Sequence, residues 1–295
     1  MSIGPESGMS LDRRQVSTGN DELSYLDVGT GPVALFVHGI GTNANLWRHA
    51  LPSLASERRC VALDLPMHGE SDVRRDQDWT LGGLAAVIAR FCEKLGLGEV
   101  DLVANDTGGA IAQVFAARSR HRLRTLALTN CDTSETLPPE PLLPTVELAR
   151  QGKFASVAPS LAADPGLARR SVFGAGFEKP EQVSDATLRA YLEPVFGTRA
   201  SAEHFEKLLL ALRPEEPAEA EAVLSTLSVP TVFVWGTADE NFPLASAHRL
   251  RDLIPGAGEV VEIPGGKLFL PEERAPELVT VLRKHWNRTA PTARR

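Results

Sequence analysis

A strand pattern that turns into a helix pattern with almost no loop constrains this chain most. Residues 100–118 read VDLVANDTGGAIAQVFAAR, an apolar run, a short polar corner and then an Ala-rich helical pattern. Small residues two positions before and after Asp106 leave room for a strained corner that lifts this side chain above a sheet edge. The N-terminus of the following helix favours negative charge there. We therefore take Asp106 as a candidate reactive group and Asn105 as a candidate substrate contact.

Strand and helix patterns alternate through the first half of the chain. Residues 22–28 alternate apolar and polar side chains, as in a half-exposed antiparallel strand, whereas residues 33–37 form a continuous apolar run typical of a covered sheet. This alternation predicts an α/β fold with βαβ crossovers and a mostly parallel, doubly wound sheet. The patterns that follow are helix 44–56, strand 59–65, helix 80–95, strand 100–104, helix 109–119 and strand 123–129.

The alternation stops after Cys131, where a stretch rich in Pro, Ala and Glu begins. Helical spacing without strand patterns predicts a helical cap domain over residues 134–227, inserted into a core of residues 11–133 and 228–288. Residues 1–10 and 289–295 are predicted to be flexible tails. The predicted cap helices are 144–151, 186–196, 200–212 and 217–227, and the core resumes with strands 231–235 and 259–263 and helices 245–253 and 272–286.

Composition and charge exclude several classes of protein. The net charge of −7, without long runs of one sign, argues against a nucleic-acid partner. Cys60, Cys92 and Cys131 form no C-x-x-C pair, so neither a disulfide framework nor a zinc site is predicted. With no signal-like or membrane-spanning apolar segment, we predict a cytoplasmic protein without a membrane partner. Because no G-x-G-x-x-G or metal-ligand spacing is present, we predict no cofactor and no metal; the oligomeric state stays open.

The corner at Asp106 resembles the nucleophile elbow of the α/β-hydrolase family, whose pattern is small-x-nucleophile-x-small. A central Asp is similar to the epoxide hydrolase and haloalkane dehalogenase branch, whereas most other members carry Ser or Cys. The resemblance places the oxyanion hole after strand 33–37, at the backbone amides of Ile40 and Thr107. His38, in the same turn, is an orienting or structural histidine. Residues 64–72, DLPMHGESD, are similar to the family turn D-x-x-G-H-G-x-S-D.

The resemblance also implies a supporting acid and a histidine. Asp239, in WGTAD, follows the strand after the cap and matches the acid, while Asp132 lies at the other position that this branch uses. Family members usually carry His within I-P-x-x-x-H-F, but this chain reads IPGGKLF and has Leu268 there. In the family, the Asp nucleophile forms an ester with the substrate and His activates the water that hydrolyses it. Leucine does not activate water, so an ester at Asp106 is expected to persist unless another base reaches it.

Other side chains are candidates for the missing base and for substrate contacts. His204, His248 and Lys267 are more often surface or packing residues at such positions. Thr107 follows Asp106 where dehalogenases generally carry a halide-binding Trp. The predicted cap contains one tyrosine, Tyr191, and epoxide hydrolases use cap tyrosines to protonate the opening oxygen. Further candidate substrate contacts are Trp47, Asp132 and Leu268.

Three hypotheses follow for function. The first is an enzyme of the epoxide hydrolase type that acts on a small, mainly apolar organic substrate, with Asp106 as nucleophile, Asp239 as acid and Tyr191 as proton donor. The second is a non-hydrolytic use of the fold, such as elimination, isomerisation or cyclisation, with Asp106 as general base. The third is a ligand-binding protein without turnover. The fold alone selects no substrate.

Overall fold

The computed structural model describes residues 11–289, so the predicted tail 1–10 and all but the first residue of the predicted tail 289–295 lie outside the described residues. Within them, eight strands form one sheet in the order β1-β2-β4-β3-β5-β6-β7-β8. The first two pairs, β1 with β2 and β2 with β4, are antiparallel, and the remaining pairs are parallel. The predicted α/β fold with a mostly parallel sheet is confirmed. The strands are β1 (Asp12–Ser17), β2 (Glu22–Val28), β3 (Val33–Val37), β4 (Arg59–Leu63), β5 (Val100–Asp106), β6 (Leu123–Cys131), β7 (Thr231–Gly236) and β8 (Ala257–Ile263).

Helices of the core pack directly on these strands. The core helices are α1 (Leu51–Leu54), α2 (Leu81–Lys94), α3 (Thr107–Ser119), α12 (Leu244–Leu253), α13 (Leu270–Glu273) and α14 (Ala275–Thr289). Helix α3 contacts β5 and β6, α12 contacts β7 and β8, and α14 contacts β6 and β7. The strands β3 and β5 are buried almost throughout, as expected for central parallel strands.

Two helices predicted as continuous are each interrupted at a proline. Residues 44–56 contain a short 3-10 helix (Ala44–Trp47) and then α1, and residues 272–286 are divided between α13 and α14. Pro52 and Pro276 are the second residues of α1 and α14. Each lacks the amide hydrogen that would bond the carbonyl four residues earlier, so the preceding helical turn ends before it. Thr289, predicted to belong to the flexible tail, is the last residue of α14.

Between β6 and β7 the described chain forms helices without strands, as predicted for residues 134–227. The first half contains five short α-helices of four to eight residues. The boundary of the cap stays a prediction, because α11 packs on α2 and α3 of the core. The helices are α4 (Leu143–Arg150), α5 (Phe154–Val157), α6 (Pro159–Ala163), α7 (Pro165–Arg170), α8 (Val172–Ala175), α9 (Asp185–Phe196), α10 (Arg199–Ala211) and α11 (Glu215–Leu224).

Candidate active site

A sharp elbow presents Asp106 at the end of β5. Its backbone has φ +57° and ψ −140°, a conformation that L-residues other than Gly rarely adopt, and α3 begins at the next residue. Two glycines allow the close packing around the elbow. A Cβ atom at Gly108 would overlap the carbonyl of His38, and one at Gly39 would overlap the Asp106 carboxylate. The strained corner expected from the small residues is therefore present.

The Asp106 carboxylate is held by backbone amides and is nearly enclosed. It accepts hydrogen bonds from the amides of Ile40 and Thr107, the two donors that the resemblance implied. The side chain is only 6% exposed. Burial raises the pKa of Asp106 well above its ordinary value, and the negative charges of Asp132 and Asp239 raise it further, while the two amides oppose the shift.

Asp132 is a second carboxyl group buried beside the elbow. The Thr107 hydroxyl donates a hydrogen bond to Asp132 Oδ2 at 2.9 Å, and the Gln113 amide donates to the Asp132 backbone carbonyl at 2.8 Å. The other carboxyl oxygen, Oδ1, has no hydrogen-bond partner within residues 11–289. Burial raises the pKa of Asp132 to about 8, against the effect of the Thr107 hydroxyl, and the Asp239 charge adds to the rise.

Asp239 is held by asparagines. The Asn130 side chain donates to Asp239 Oδ2 at 2.8 Å, and the Asn241 backbone amide donates to Oδ1 at 2.9 Å. Burial raises the pKa of Asp239, and these hydrogen bonds partly oppose the rise. Asn130 also accepts the Gly236 amide at 2.8 Å, so it ties β6 to β7. Sequence reasoning did not single out Asn130; its one signal was its place directly after the predicted strand 123–129, two residues before Asp132.

A mainly apolar cavity opens onto Asp106. Its empty volume, counted to the mouth and including open solvent, is about 680 Å³. Asp106 is the only ionisable side chain on this wall in the part of the chain described here, and Leu268 lies on the wall too. The lining residues are Ile40, Gly41, Asp106, Pro139, Leu142, Thr145, Phe154, Leu161, Ser171, Val172, Phe173, Phe196, Phe205, Asn241, Leu268 and Phe269.

This wall includes none of the candidate histidines or the candidate lysine, His38, His204, His248 and Lys267. His38 Nδ1 bonds the Gly39 carbonyl at 2.7 Å and Nε2 accepts the Leu65 amide at 3.0 Å. Burial lowers the pKa of His38 to about 4, so it is a neutral histidine that fixes the turn. His204 lies against Trp79, with 5.8 Å between ring centroids. His248 lies 3.6 Å from Glu262, and Lys267 Nζ lies 3.3 Å from the Ala175 carbonyl.

Two candidate substrate contacts, Tyr191 and Trp47, pack against other parts of the protein. Tyr191 is 1% exposed, and its hydroxyl donates to Glu272 Oε2 at 2.7 Å and accepts from Arg48 at 3.0 Å. Tyr191 is not among the residues that line the cavity, and its role as proton donor stays a prediction. Trp47 is fully buried, with its ring 5.2 Å from that of Phe36. Helical spacing gave no indication of these long-range contacts.

Asn105 acts on the loop that carries Leu268. Its side-chain amide donates to the Leu268 carbonyl at 3.0 Å and to the Thr129 hydroxyl at 2.9 Å. Asn105 is fully buried and is absent from the cavity wall. The residue therefore positions Leu268 rather than contacting a ligand, so the prediction that it contacts substrate receives no support.

Comparisons with known proteins agree with this architecture. The family model of the α/β hydrolase fold matches residues 32–273. Haloalkane dehalogenase 2 of Mycobacterium tuberculosis is 30% identical over 277 residues, which span 91% of this chain and 92% of that protein. The acetyltransferase component of the acetoin cleaving system of Pseudomonas putida is 26% identical over 291 residues, 96% of this chain and 72% of that protein.

A solved structure shows the same fold. Haloalkane dehalogenase DbeA of Bradyrhizobium elkani superposes with a TM-score of 0.82 at 22% identity, covering 96% of this chain and all of that one. The chain therefore belongs to the α/β-hydrolase fold family. Within it, the chain lies in the branch of the haloalkane dehalogenases and epoxide hydrolases and is a haloalkane dehalogenase-like enzyme.

Two further features concern cofactors and membranes. Among residues 11–289, no group of three or more His, Cys, Asp and Glu side chains is arranged to hold a metal ion. No helix in that range combines the length and the apolar character that crossing a membrane requires.

Proposed function

We propose that this enzyme moves a proton on a small, mainly apolar organic molecule, with Asp106 as the acid–base group of an isomerisation or elimination. The observation that carries the proposal is the cavity wall, where Asp106 is the only ionisable side chain within residues 11–289. One carboxylate is sufficient to take a proton from carbon and return it to another carbon of the same molecule. Hydrolysis through an ester needs a second group, and Leu268 lies on the wall instead.

The surroundings of Asp106 suit this reaction. Burial in an apolar cavity makes its carboxylate a stronger base than an exposed Asp, because the charged form is poorly solvated. When the carboxylate takes a proton from a C–H bond, the electron pair of that bond shifts into the neighbouring π system. Thr145 lies on the wall and carries a hydroxyl that can donate to an oxygen of that system, whereas the Ser171 hydroxyl donates to the Ala168 carbonyl at 2.7 Å. Return of the proton completes an isomerisation, and departure of a leaving group completes an elimination.

We also propose that residues 134–227 act as the cap and that the protein is cytoplasmic. Helical-region residues from Pro139 to Phe205 supply most of the cavity wall opposite Asp106, which supports a covering role. Cys60, Cys92 and Cys131 are free and buried, which fits a reducing compartment.

Proton exchange with solvent tests the proposal. The enzyme is incubated in deuterated water with small apolar carbonyl compounds, the ketone 1-tetralone and the aldehyde 2-phenylpropanal, and deuterium at the carbon beside the carbonyl is followed by NMR. We expect the exchange to rise with pH as Asp106 ionises, because its pKa is raised. The Asp106→Asn variant should lose this exchange. Exchange equal in wild type and Asp106→Asn, or exchange that falls as pH rises, contradicts the proposal.

The second candidate is the hydrolase of the epoxide hydrolase type. The observation that favours it is the pair of amides, from Ile40 and Thr107, on the Asp106 carboxylate, since the same donors would hold an ester carbonyl oxygen. Styrene oxide and 1-bromohexane are the test compounds. Release of diol or alcohol over many turnovers, dependent on Asp106, would support this candidate over proton transfer.

A further inference from the structure

The carboxyl group of Asp106 on the cavity floor and the nearby buried carboxyl groups of Asp132 and Asp239 have no positively charged partner in the described protein. Besides burial, the charges of Asp132 and Asp239 raise the pKa of Asp106, and the Asp239 charge raises the pKa of Asp132. Within residues 11–289, none of the three lies within ion-pair distance of an Arg, Lys or His. Their partners are backbone amides, the Thr107 hydroxyl and two asparagines, which carry dipoles but no full charge. Where the family resemblance places a histidine, Leu268 contributes no positive charge.

The walls above this floor are aromatic. Phe154, Phe196 and Phe205 form one group, with centroids 4.7 to 5.6 Å apart. Phe173 and Phe269 form a second group, with centroids 5.1 Å apart. All five side chains line the cavity. The face of an aromatic ring is electronegative and attracts an organic cation within about 6 Å of its centre.

We propose that this cavity binds an organic cation, a small apolar molecule with one protonated or quaternary nitrogen. The nitrogen lies at the Asp106 carboxylate, and the hydrocarbon part lies among the phenylalanine rings. The ligand thereby supplies the positive charge that the described protein lacks at this floor. The inference goes beyond the proposed reaction, because binding a cation does not depend on whether Asp106 then moves a proton.

The wall also limits the kind of cation. A metal ion needs several oxygen or nitrogen ligands to replace its water, and the described wall offers one carboxylate among mainly apolar side chains. A polyamine would bring a second charge with no second carboxylate on the described wall to receive it. A single charged nitrogen on an apolar body matches one carboxylate in an aromatic cavity.

Calorimetry with matched ligands tests the proposal on the whole protein. Benzylamine is protonated near neutral pH, benzyl alcohol has nearly the same shape without charge, and benzyltrimethylammonium carries charge without an N–H. We expect both cations to bind about tenfold or more tighter than the alcohol. Binding should also release protons, up to one per cation, because a cation beside Asp106 favours the ionised carboxyl groups. Titrations in buffers of different ionisation enthalpy measure that release.

Two variants separate the cavity charge from the general charge of the protein. Asp106→Asn should remove the preference for cations while keeping the weak binding of benzyl alcohol. The control is Glu240→Gln, since Glu240 is an exposed carboxylate that pairs with Lys267 and does not line the cavity, and it should bind like wild type. If Asp106→Asn does not fold, proton release in the wild type decides alone.

Three results would overturn the inference: equal affinity for benzylamine and benzyl alcohol, binding of cations without proton release, or no saturable binding of either cation. Failure of the proton-exchange assay together with cation binding and proton release would remove the proposed reaction and leave this inference standing. Exchange on neutral carbonyl compounds without cation binding would support the proposed reaction and overturn this inference.

Discussion

Replacing Asp132 by Asn should stabilise the protein increasingly as pH rises. Asp132 is fully buried, and burial raises its pKa from an ordinary 3.8 to about 8. A raised folded-state pKa means that folding is favoured while the group is protonated. This contribution is complete below about pH 4 and is lost as pH rises towards 8. Asparagine keeps an oxygen that accepts the hydrogen bond from the Thr107 hydroxyl, and it has no proton to lose as pH rises.

The size of the effect follows from the shift. Each pKa unit corresponds to about 1.4 kcal/mol, so between pH 5 and pH 8 the wild type loses at most about 4 kcal/mol through Asp132 that the variant keeps. Relaxation and water entry reduce such values, and we expect a relative gain of about 2 kcal/mol. Urea denaturation at both pH values, followed by tryptophan fluorescence, gives the two free energies of unfolding.

A second buried aspartate provides the control. Asp101 is also fully buried, but it pairs with Arg58 at 2.9 Å and Arg124 at 2.8 Å. Asp101→Asn should therefore destabilise the protein by about 3 kcal/mol, because two partly buried arginines lose their partner. If the wild-type and Asp132→Asn curves stay parallel between pH 5 and pH 8, the description of Asp132 as an unbalanced buried acid is refuted.

Three more substitutions give distinct results. Asp106→Asn should keep the fold, because Asn tolerates positive φ, and should lower turnover at least about 100-fold; turnover near wild type contradicts its catalytic role. Tyr191→Phe should leave turnover unchanged and lower the free energy of unfolding by about 1 to 2 kcal/mol, because the Glu272 contact is lost; a large fall in kcat would restore Tyr191 as proton donor. Leu268→His should release an alkyl ester formed at Asp106 faster than wild type, as followed by peptide mass, whereas equal rates would show that the imidazole does not reach the ester.

The sequence predicted the parts of the fold that depend on local pattern. The strands β2 and β3 begin and end where the alternating and apolar runs predict, and the elbow at Asp106 has the positive φ that its small neighbours indicated. Prolines within a helical pattern could have marked the interruptions just before Pro52 and Pro276, because each lacks the amide hydrogen that bonds the carbonyl four residues earlier. These features follow from neighbouring residues in the chain.

The candidate site depends on contacts across the chain, and there the sequence was less informative. Tyr191 lies on a helix as predicted, but its partner Glu272 is 81 residues away. Helical spacing could not identify this contact. The phenylalanines of the cavity wall gave no separate signal, because a Phe that packs in a core and one that lines a cavity have the same helical spacing. Asn130, which holds Asp239, directly follows the predicted strand 123–129 and had no separate sequence signal for this contact.

Asp106 works without an ester that water hydrolyses. Single-turnover reactions with styrene oxide or 1-bromohexane in water enriched in oxygen-18 test it directly. Water that hydrolyses an Asp106 ester leaves one labelled oxygen in that carboxylate, a gain of two mass units on the Asp106 peptide. We predict an unlabelled Asp106, either unmodified or alkylated. Labelled Asp106 in the wild type would contradict the claim and would show that this cavity activates water without the family histidine.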